Sequence, residues 1–430
     1  MTAFRLPYGK GHLTFTLPDG YSVEVLAPKD TPAAPDPLAE VTRALDDSLG
    51  ARLEDFAGAH SAAIAVNDKT RPVPHAYLLP PLLARLERLG LPPERITLLI
   101  ASGAHVPMPP EEFGQVIPAD VLARYPVFCH DCDDADNLLA LGNTARGTPV
   151  WIDRSYLAAD LRIVVGDIEP HQFMGFSGGV KSAAIGLAGR ATITANHTLL
   201  TDPHSTLGRY HDNPTRQDAE EIGRMAGVHV ALNAILNREK QIVRALAGDP
   251  RAVMEAGIPL VRAICQVQVG APFDLMIASP GGHPKDINLY QAQKALAHAA
   301  PITQEGGTVI LAAACPEGTG GTSYEQWMLS EGMDSYEAVF ARFRREGFRI
   351  GPHKAYQIAR DAARARTFLV SEMPPDLVRR LLLTPASLEE AVSLALATLP
   401  PGARIGVMPL ANATVPILAE QIAPDNAGSR

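Results

Sequence analysis

The sequence predicts an α/β protein made of two α/β domains with largely parallel sheets and an active-site cleft between them. Three observations carry this reading. Short apolar runs without polar alternation recur along the chain, as buried parallel strands do; helical stretches separate them; and the series starts again after residue 270. At 430 residues the chain exceeds one ordinary core, and its 46% hydrophobic and 20% charged residues, with 35 Gly and 37 Pro spread throughout, suit a globular enzyme with many turns.

In chain order, "HLTFTLPDGYSVEVL" alternates on either side of Pro18-Asp19-Gly20 and predicts an N-terminal hairpin. The first parallel series is "SAAIAV" (61–66), "RITLLIAS" (95–102) and "LRIVVGD" (161–167), with "YLLPPLLARLERLG" as a covering helix. The second follows "VQVGAPFD": "LMIASP" (275–280), "TVILAAA" (308–314), "TFLVSE" (367–372) and "RIGVMP" (404–409). The boundary is therefore expected near Gly270, dividing the chain into residues 1–270 and 271–430. No internal repeat is present, and the tail "APDNAGSR" is expected to fray.

The net charge of −9 and the lack of a dense Lys/Arg run argue against nucleic acid as a partner. "MTAFRLPYGKGHLTF" lacks the apolar core of a signal peptide, and no apolar run is long enough to span a membrane, so the expectation is a cytoplasmic protein acting on small molecules. Four cysteines are too few and scattered for a disulfide framework; Cys129 and Cys132 have CxxC spacing without a second pair and are expected to be reduced and structural.

Each apolar run of the first series opens into a polar Gly/Pro-rich loop: "NDKTRPVP", "GAHVPMPP" and "IEPHQFMGFSGG". Ligands of open α/β sheets sit beyond the carboxyl ends of the strands, so Asp68, Thr70, Arg71, His105 and His171 are expected on one side. In the second series Gln291 and Lys294 stand three apart on one helical face. "GFSGGVKS" fails as a P-loop, because Val180 precedes Lys181 where that motif needs glycine. Ser177, Gly178 and Gly179 could still turn backbone N–H groups toward an anion, or form a plain tight turn.

Lys181 begins an apolar stretch, where desolvation would lower its pKa and make the amine a nucleophile or covalent anchor; a surface lysine is the plain alternative. His105 and His171 can take and give a proton near neutral pH, and two such groups on opposite faces of one carbon would serve both stereochemical senses; alternatively they are solvated loop histidines. His197, closing "ATITANH", suits a nickel, zinc or copper ion. His204 and His211 follow at seven-residue intervals but are set aside, since Pro203 and Gly208 interrupt a helix there. Arg71 and Lys294 could hold a carboxylate or form surface ion pairs, and Asp68 and Thr70 could reach sugar hydroxyls or phosphate, or stabilise the turn before Pro72.

In their order and spacing, "NDKTRPVP", "GAHVPM", "EPHQFMGFSGGVKS", "ANH" and "NLYQAQKAL", with the opening "LPYGKGHLTFTLPDG", resemble the lactate racemase family from the N-terminus to at least Lys294. The resemblance implies a nickel-pincer nucleotide, nickel(II) pyridinium-3,5-bisthiocarboxylic acid mononucleotide, attached covalently at Lys181 through a thioamide, with His197 as nickel ligand. Asp68, Lys69, Thr70 and Arg71, with Ser177, Gly178 and Gly179, would lie against the nucleotide. His105 and His171 match the acid/base pair, each removing the hydroxyl proton of one enantiomer while the Cα hydride moves to the cofactor and returns to the opposite face of a 2-keto acid. Arg71, Gln291 and Lys294 match groups that hold the substrate.

On this resemblance residues 1–270 would carry cofactor and catalysis, and 271–430 would contribute substrate contacts. The implied activity is racemisation or epimerisation of a 2-hydroxy acid, lactate or a larger aromatic, dicarboxylic or sugar acid, with cofactor biosynthesis enzymes as partners. The alternatives are a phosphate-loop nucleotide-binding hydrolase or transferase, and a non-catalytic nickel-cofactor carrier.

Overall fold

Alternation at the N-terminus does produce strands, but they pair otherwise than predicted. In the computed structural model, which describes residues 1–419, Thr2–Tyr8 runs antiparallel to Gly11–Leu17. The turn between them is Gly9-Lys10, and Gly9 takes φ +52°, the left-handed conformation that short hairpin turns need and glycine adopts freely. Ser22–Val25, the predicted second arm, instead lies parallel to Arg404–Met408. The hairpin predicted at residues 18–20 is thus corrected, and burial explains why: Leu6, Phe15 and Leu17 all enter one core with Leu275, Ile277, Phe368 and Ile405.

The chain divides into two compact units: Asp30–Ile264, and Met1–Lys29 together with the chain from Cys265 onward. This differs from the expected 1–270 and 271–430. The boundary moves to residues 264/265, and the first 29 residues belong with the C-terminal part, because Ser22–Val25 is the edge strand of its sheet.

The unit from Asp30 is built on six strands in the order Ile242–Gly248, Val230–Leu236, Leu161–Asp167, Ala62–Asn67, Ile96–Ala101 and Val127–Cys129. All neighbours are parallel except the first pair. The three predicted runs are its central strands, and their continuous apolar character reflects burial on both faces. Helix His75–Arg88 covers one face: Leu78, Leu79, Leu82, Leu83 and Leu86 form its apolar stripe and pack with Ile64, Val66 and Ile100.

The second unit has a wholly parallel six-stranded sheet in the order Thr384–Pro385, Arg366–Val370, Thr303–Ala312, Phe273–Ala278, Arg404–Met408 and Ser22–Val25. Its helix Leu289–Ala299 begins at Asn288, whose side chain accepts from Gln291 N at 3.1 Å and satisfies an end donor that the helix cannot. No helix among the described residues is long and apolar enough to cross a membrane. The tail "APDNAGSR" lies outside the described residues.

Candidate active site

Asp68 sits where strand Ala62–Asn67 ends, and it is buried. Its Oδ2 accepts from His105 Nδ1 at 2.7 Å, and its Oδ1 accepts from Thr70 Oγ1 at 2.6 Å and Thr70 N at 3.1 Å. Burial pushes the Asp68 carboxyl up, but the His105 hydrogen bond and charge, Thr70 and the nearby Arg71 outweigh it and hold the group below its ordinary value. An ionised Asp68 requires the proton on His105 Nδ1, so in the neutral ring Nε2 carries the lone pair. The imidazole itself is exposed, and its loop is tied down by Gly103 N donating to Gly186 O at 2.9 Å. Of the neighbouring residues, Lys69 forms an ion pair with Glu112, and Arg71 Nη1 donates to Thr70 O at 3.4 Å.

His171 belongs to a two-residue strand, Pro170–His171, paired with Gly175–Phe176. Gly175 takes φ +72°, and a Cβ there would lie 1.5 Å from Arg209 O, so only glycine closes this turn. His171 Nδ1 accepts from Met174 N at 3.2 Å, which puts the proton of the neutral ring on Nε2, the reverse of His105. His197 stands in the last turn of helix Arg190–Thr198, and its Nδ1 faces Asn196 Oδ1 at 3.1 Å. Asn196 is fully buried and donates through Nδ2 to Thr215 O and Asp218 Oδ2, which fixes its oxygen as the acceptor and leaves Nε2 as the lone-pair nitrogen of neutral His197. The structure brings His171 and His197 to one side chain: the Phe173 ring meets them edge-on at centroid distances of 4.8 and 5.1 Å.

The glycine turn differs from its expected form. Ser177 N donates to Glu169 O and Gly179 N to Asn233 Oδ1, each at 2.7 Å, so two of the three N–H groups predicted to face an anion are used inside the protein. The apolar stretch that follows opens with a single helical turn, Lys181–Ala184. Arg216 holds the turn from behind. Fully buried, it donates to Phe176 O and Gly178 O at 3.1 Å and pairs with Glu220 at 2.6 Å. Ser177 Oγ is buried with no hydrogen-bond partner among the described residues.

Lys181 emerges from this turn. Desolvation, then the positive charges of Arg71 and Arg216, draw its amine down to about 7, while Glu169 and Asp167 oppose them. Asp167, at the end of the central strand, moves the other way: burial and the charge of Glu169 push its carboxyl up to about 7, with Lys240 and Arg71 opposing. In the other unit, Lys294 Nζ donates to Gln291 Oε1 at 2.9 Å, so the predicted pair does meet on helix Leu289–Ala299. His204 and His211 pair instead with Asp202 and Glu255.

Phe173, Arg216, Asn233 and Asp167 escape the sequence reading. Arg216 and Glu220 have the spacing of an ordinary surface pair, and nothing local announces that both are buried.

The lactate racemase N-terminal domain model matches residues 8–208, and the lactate racemase C-terminal domain model matches 269–415. The chain is 30% identical over 419 residues to a lactate racemase of Thermoanaerobacterium thermosaccharolyticum, covering 95% of this chain and 98% of that protein. It is 31% identical over 421 residues to one of Lactiplantibacillus plantarum, with the same coverage of 95% and 98%. The lactate racemase apoprotein structure from T. thermosaccharolyticum superimposes with a TM-score of 0.89 at 29% identity, covering 97% of this chain and 100% of that one. A Thermotoga maritima protein shares the fold at a TM-score of 0.63 and 17% identity, with coverage of 91% and 99%.

Proposed function

Because the chain belongs to the lactate racemase family, we propose that it racemises or epimerises a 2-hydroxy acid, lactate or a larger one, with a nickel-pincer nucleotide held at Lys181. The enzyme class follows from the family: it is an isomerase, a racemase. The observation that carries the cofactor assignment is the state of Lys181. A lysine that binds phosphate in a P-loop works through its charge, whereas an amine drawn down to about 7 is substantially unprotonated at neutral pH and can attack an acyl carbon.

The surrounding residues fit such a group. The Ser177 hydroxyl is buried without a partner among the described residues, and His197 is anchored through Nδ1 with its lone pair on Nε2, as a metal ligand requires. In this reading Lys181 attaches the nucleotide, His197 ligates nickel, and Ser177, Gly178 and Gly179, with the Asp68–Arg71 loop, line the nucleotide. When bound, the cofactor supplies reversible acceptance of the Cα hydride. His105 takes the substrate hydroxyl proton at Nε2, and Asp68 stabilises the imidazolium that results. His171, whose neutral ring carries its proton on Nε2, is the acid/base partner on the opposite face and donates that proton to the substrate oxygen as the other enantiomer forms, while Arg71, Gln291 and Lys294 hold the carboxylate.

The test is intact-protein mass spectrometry with nickel analysis after coexpression with the cofactor-building enzymes, comparing wild type with Lys181→Ala. A nickel-bearing covalent adduct present in wild type and lost in the variant is expected. Its absence from wild type, with loading verified in a family member prepared in parallel, would overturn the cofactor assignment.

A further inference from the structure

Helix Pro352–Ala362 packs on helix Leu289–Ala299 and carries a second lysine–glutamine pair. Lys354 is only 4% exposed and Gln357 is 0% exposed; Lys354 Nζ donates to Gln357 Oε1 at 3.0 Å. The same ammonium lies 4.7 Å from the centroid of the Tyr290 ring, and Tyr290 directly precedes Gln291, whose Oε1 accepts from Lys294 at 2.9 Å. The second pair thus packs, through Lys354, on a residue of the same helix that carries the first pair. Gln357 Nε2 has no hydrogen-bond partner among the described residues, although its side chain is wholly removed from solvent. An amide donor left in that state carries its desolvation cost unrelieved until an acceptor arrives.

We propose that Lys354 and Gln357 form a subsite for a second carboxylate, so that the substrate is a 2-hydroxy acid carrying a carboxylate at its far end. This rests on the racemase reading, in which Gln291 and Lys294 take the carboxylate common to all 2-hydroxy acids. The donor inventory selects among the larger acids. The glutamine oxygen is occupied by Lys354, so the pair offers a cation and an amide N–H, both donors. A carboxylate needs only donors. A polyhydroxylated chain brings hydroxyl protons that need acceptors, and an aromatic end offers the amide N–H no lone pair.

Equilibrium binding to the unloaded protein tests the subsite independently of turnover. The probes are 2-hydroxysuccinate and 2-hydroxyglutarate, each compared by calorimetry with the monocarboxylic acid of the same length, 2-hydroxybutanoate or 2-hydroxypentanoate. Wild type is expected to bind a diacid about tenfold or more tighter than its counterpart, as sites built around polar partners discriminate. Lys354→Met should bring that ratio to within about twofold of unity, Lys354→Arg should retain most of it, and Gln357→Leu should lower it. Thermal unfolding of each variant verifies the fold, and Gln357→Leu decides if Lys354→Met does not fold.

A wild-type ratio near one, or an unchanged ratio in a folded Lys354→Met protein, would overturn the subsite and make the pair a brace between helices. Racemisation assays on nickel-loaded enzyme separate the two readings. Lactate turnover without diacid preference in binding sinks the subsite alone. Diacid preference in binding without turnover of any 2-hydroxy acid supports the subsite and sinks the racemase reading alone.

Discussion

Lys181 and Asp167 approach neutrality from opposite directions because burial strips each of hydration and like charges add to it, Arg71 and Arg216 at the lysine and Glu169 at the aspartate. For Lys181 the folded value of about 7 lies below the ordinary 10.5, so the folded state binds fewer protons than the unfolded one between those values. The burial penalty is therefore complete below about pH 7 and is relieved as the pH rises toward 10.5. Lys181→Met should raise the free energy of unfolding by on the order of 1 kcal/mol or more at about pH 6, and the gain should shrink by about pH 10; a gain independent of pH would contradict this environment. In the unloaded protein an amine-selective reagent followed by peptide mass spectrometry should modify Lys181 with a midpoint near pH 7, well below that of exposed lysines. Among the histidines, His105→Ala and His171→Ala in loaded enzyme should each cost about 10²- to 10⁴-fold in turnover of the true substrate. Asp68→Asn should cost roughly tenfold or more, because an amide can fix the wrong tautomer of His105. Full activity in both histidine variants would remove the acid–base assignment.

At the scale of elements, the turn before Lys181 is held by side chains behind it. Gly179 takes φ +55°, and a Cβ there would lie 2.7 Å from Met254 Cγ and 2.9 Å from Arg216 Nη2, so glycine is needed for both backbone and packing. Gly179→Ala should cost about 1–3 kcal/mol in urea unfolding. Arg216→Met should cost about 3–5 kcal/mol, because it leaves the nearly inaccessible Glu220 without its cation and releases the carbonyls of Phe176 and Gly178. Loss of the Arg216 charge should also weaken the downward pull on Lys181, seen as an upward shift in its labelling midpoint. The glycines and the lysine were legible as one cluster because they are adjacent in the chain. The direction of the N–H groups was not, since Asn233, which accepts from Gly179, lies 54 residues away.

At the scale of the molecule, each unit closes its own sheet, and the C-terminal one does so with residues from the start of the chain. Ser22–Val25 supplies an edge strand, and Leu6, Phe15 and Leu17 cover apolar side chains of Leu275, Ile277, Phe368 and Ile405. Deleting residues 1–25 from the full chain should expose that core, since burying each large apolar side chain is worth about 1.5–3 kcal/mol. Limited proteolysis of the truncated chain should cut first beyond Cys265, while Asp30–Ile264 persists; equal resistance of both parts would show that the N-terminal segment is dispensable. The N-terminal region carries strand and turn signals, but the choice of strand partner required the whole chain.

By itself the sequence determined the fold class, the parallel strands of both series and the loops that carry His105, His171 and Lys181, along with the face shared by Gln291 and Lys294. These are local properties: apolar period, turn residues and helical spacing reside in adjacent positions. Only the tertiary structure decided that Thr2–Tyr8 pairs with Gly11–Leu17, that Asp68 engages His105, that Arg216 is buried behind the glycine turn, and that Lys354 lies over the Tyr290 ring. A period of two or 3.6 specifies which face of an element is apolar, and leaves open which distant segment covers it. The burial that shifts Lys181 and Asp167 is set by such distant segments, so their chemistry depends on the folded whole.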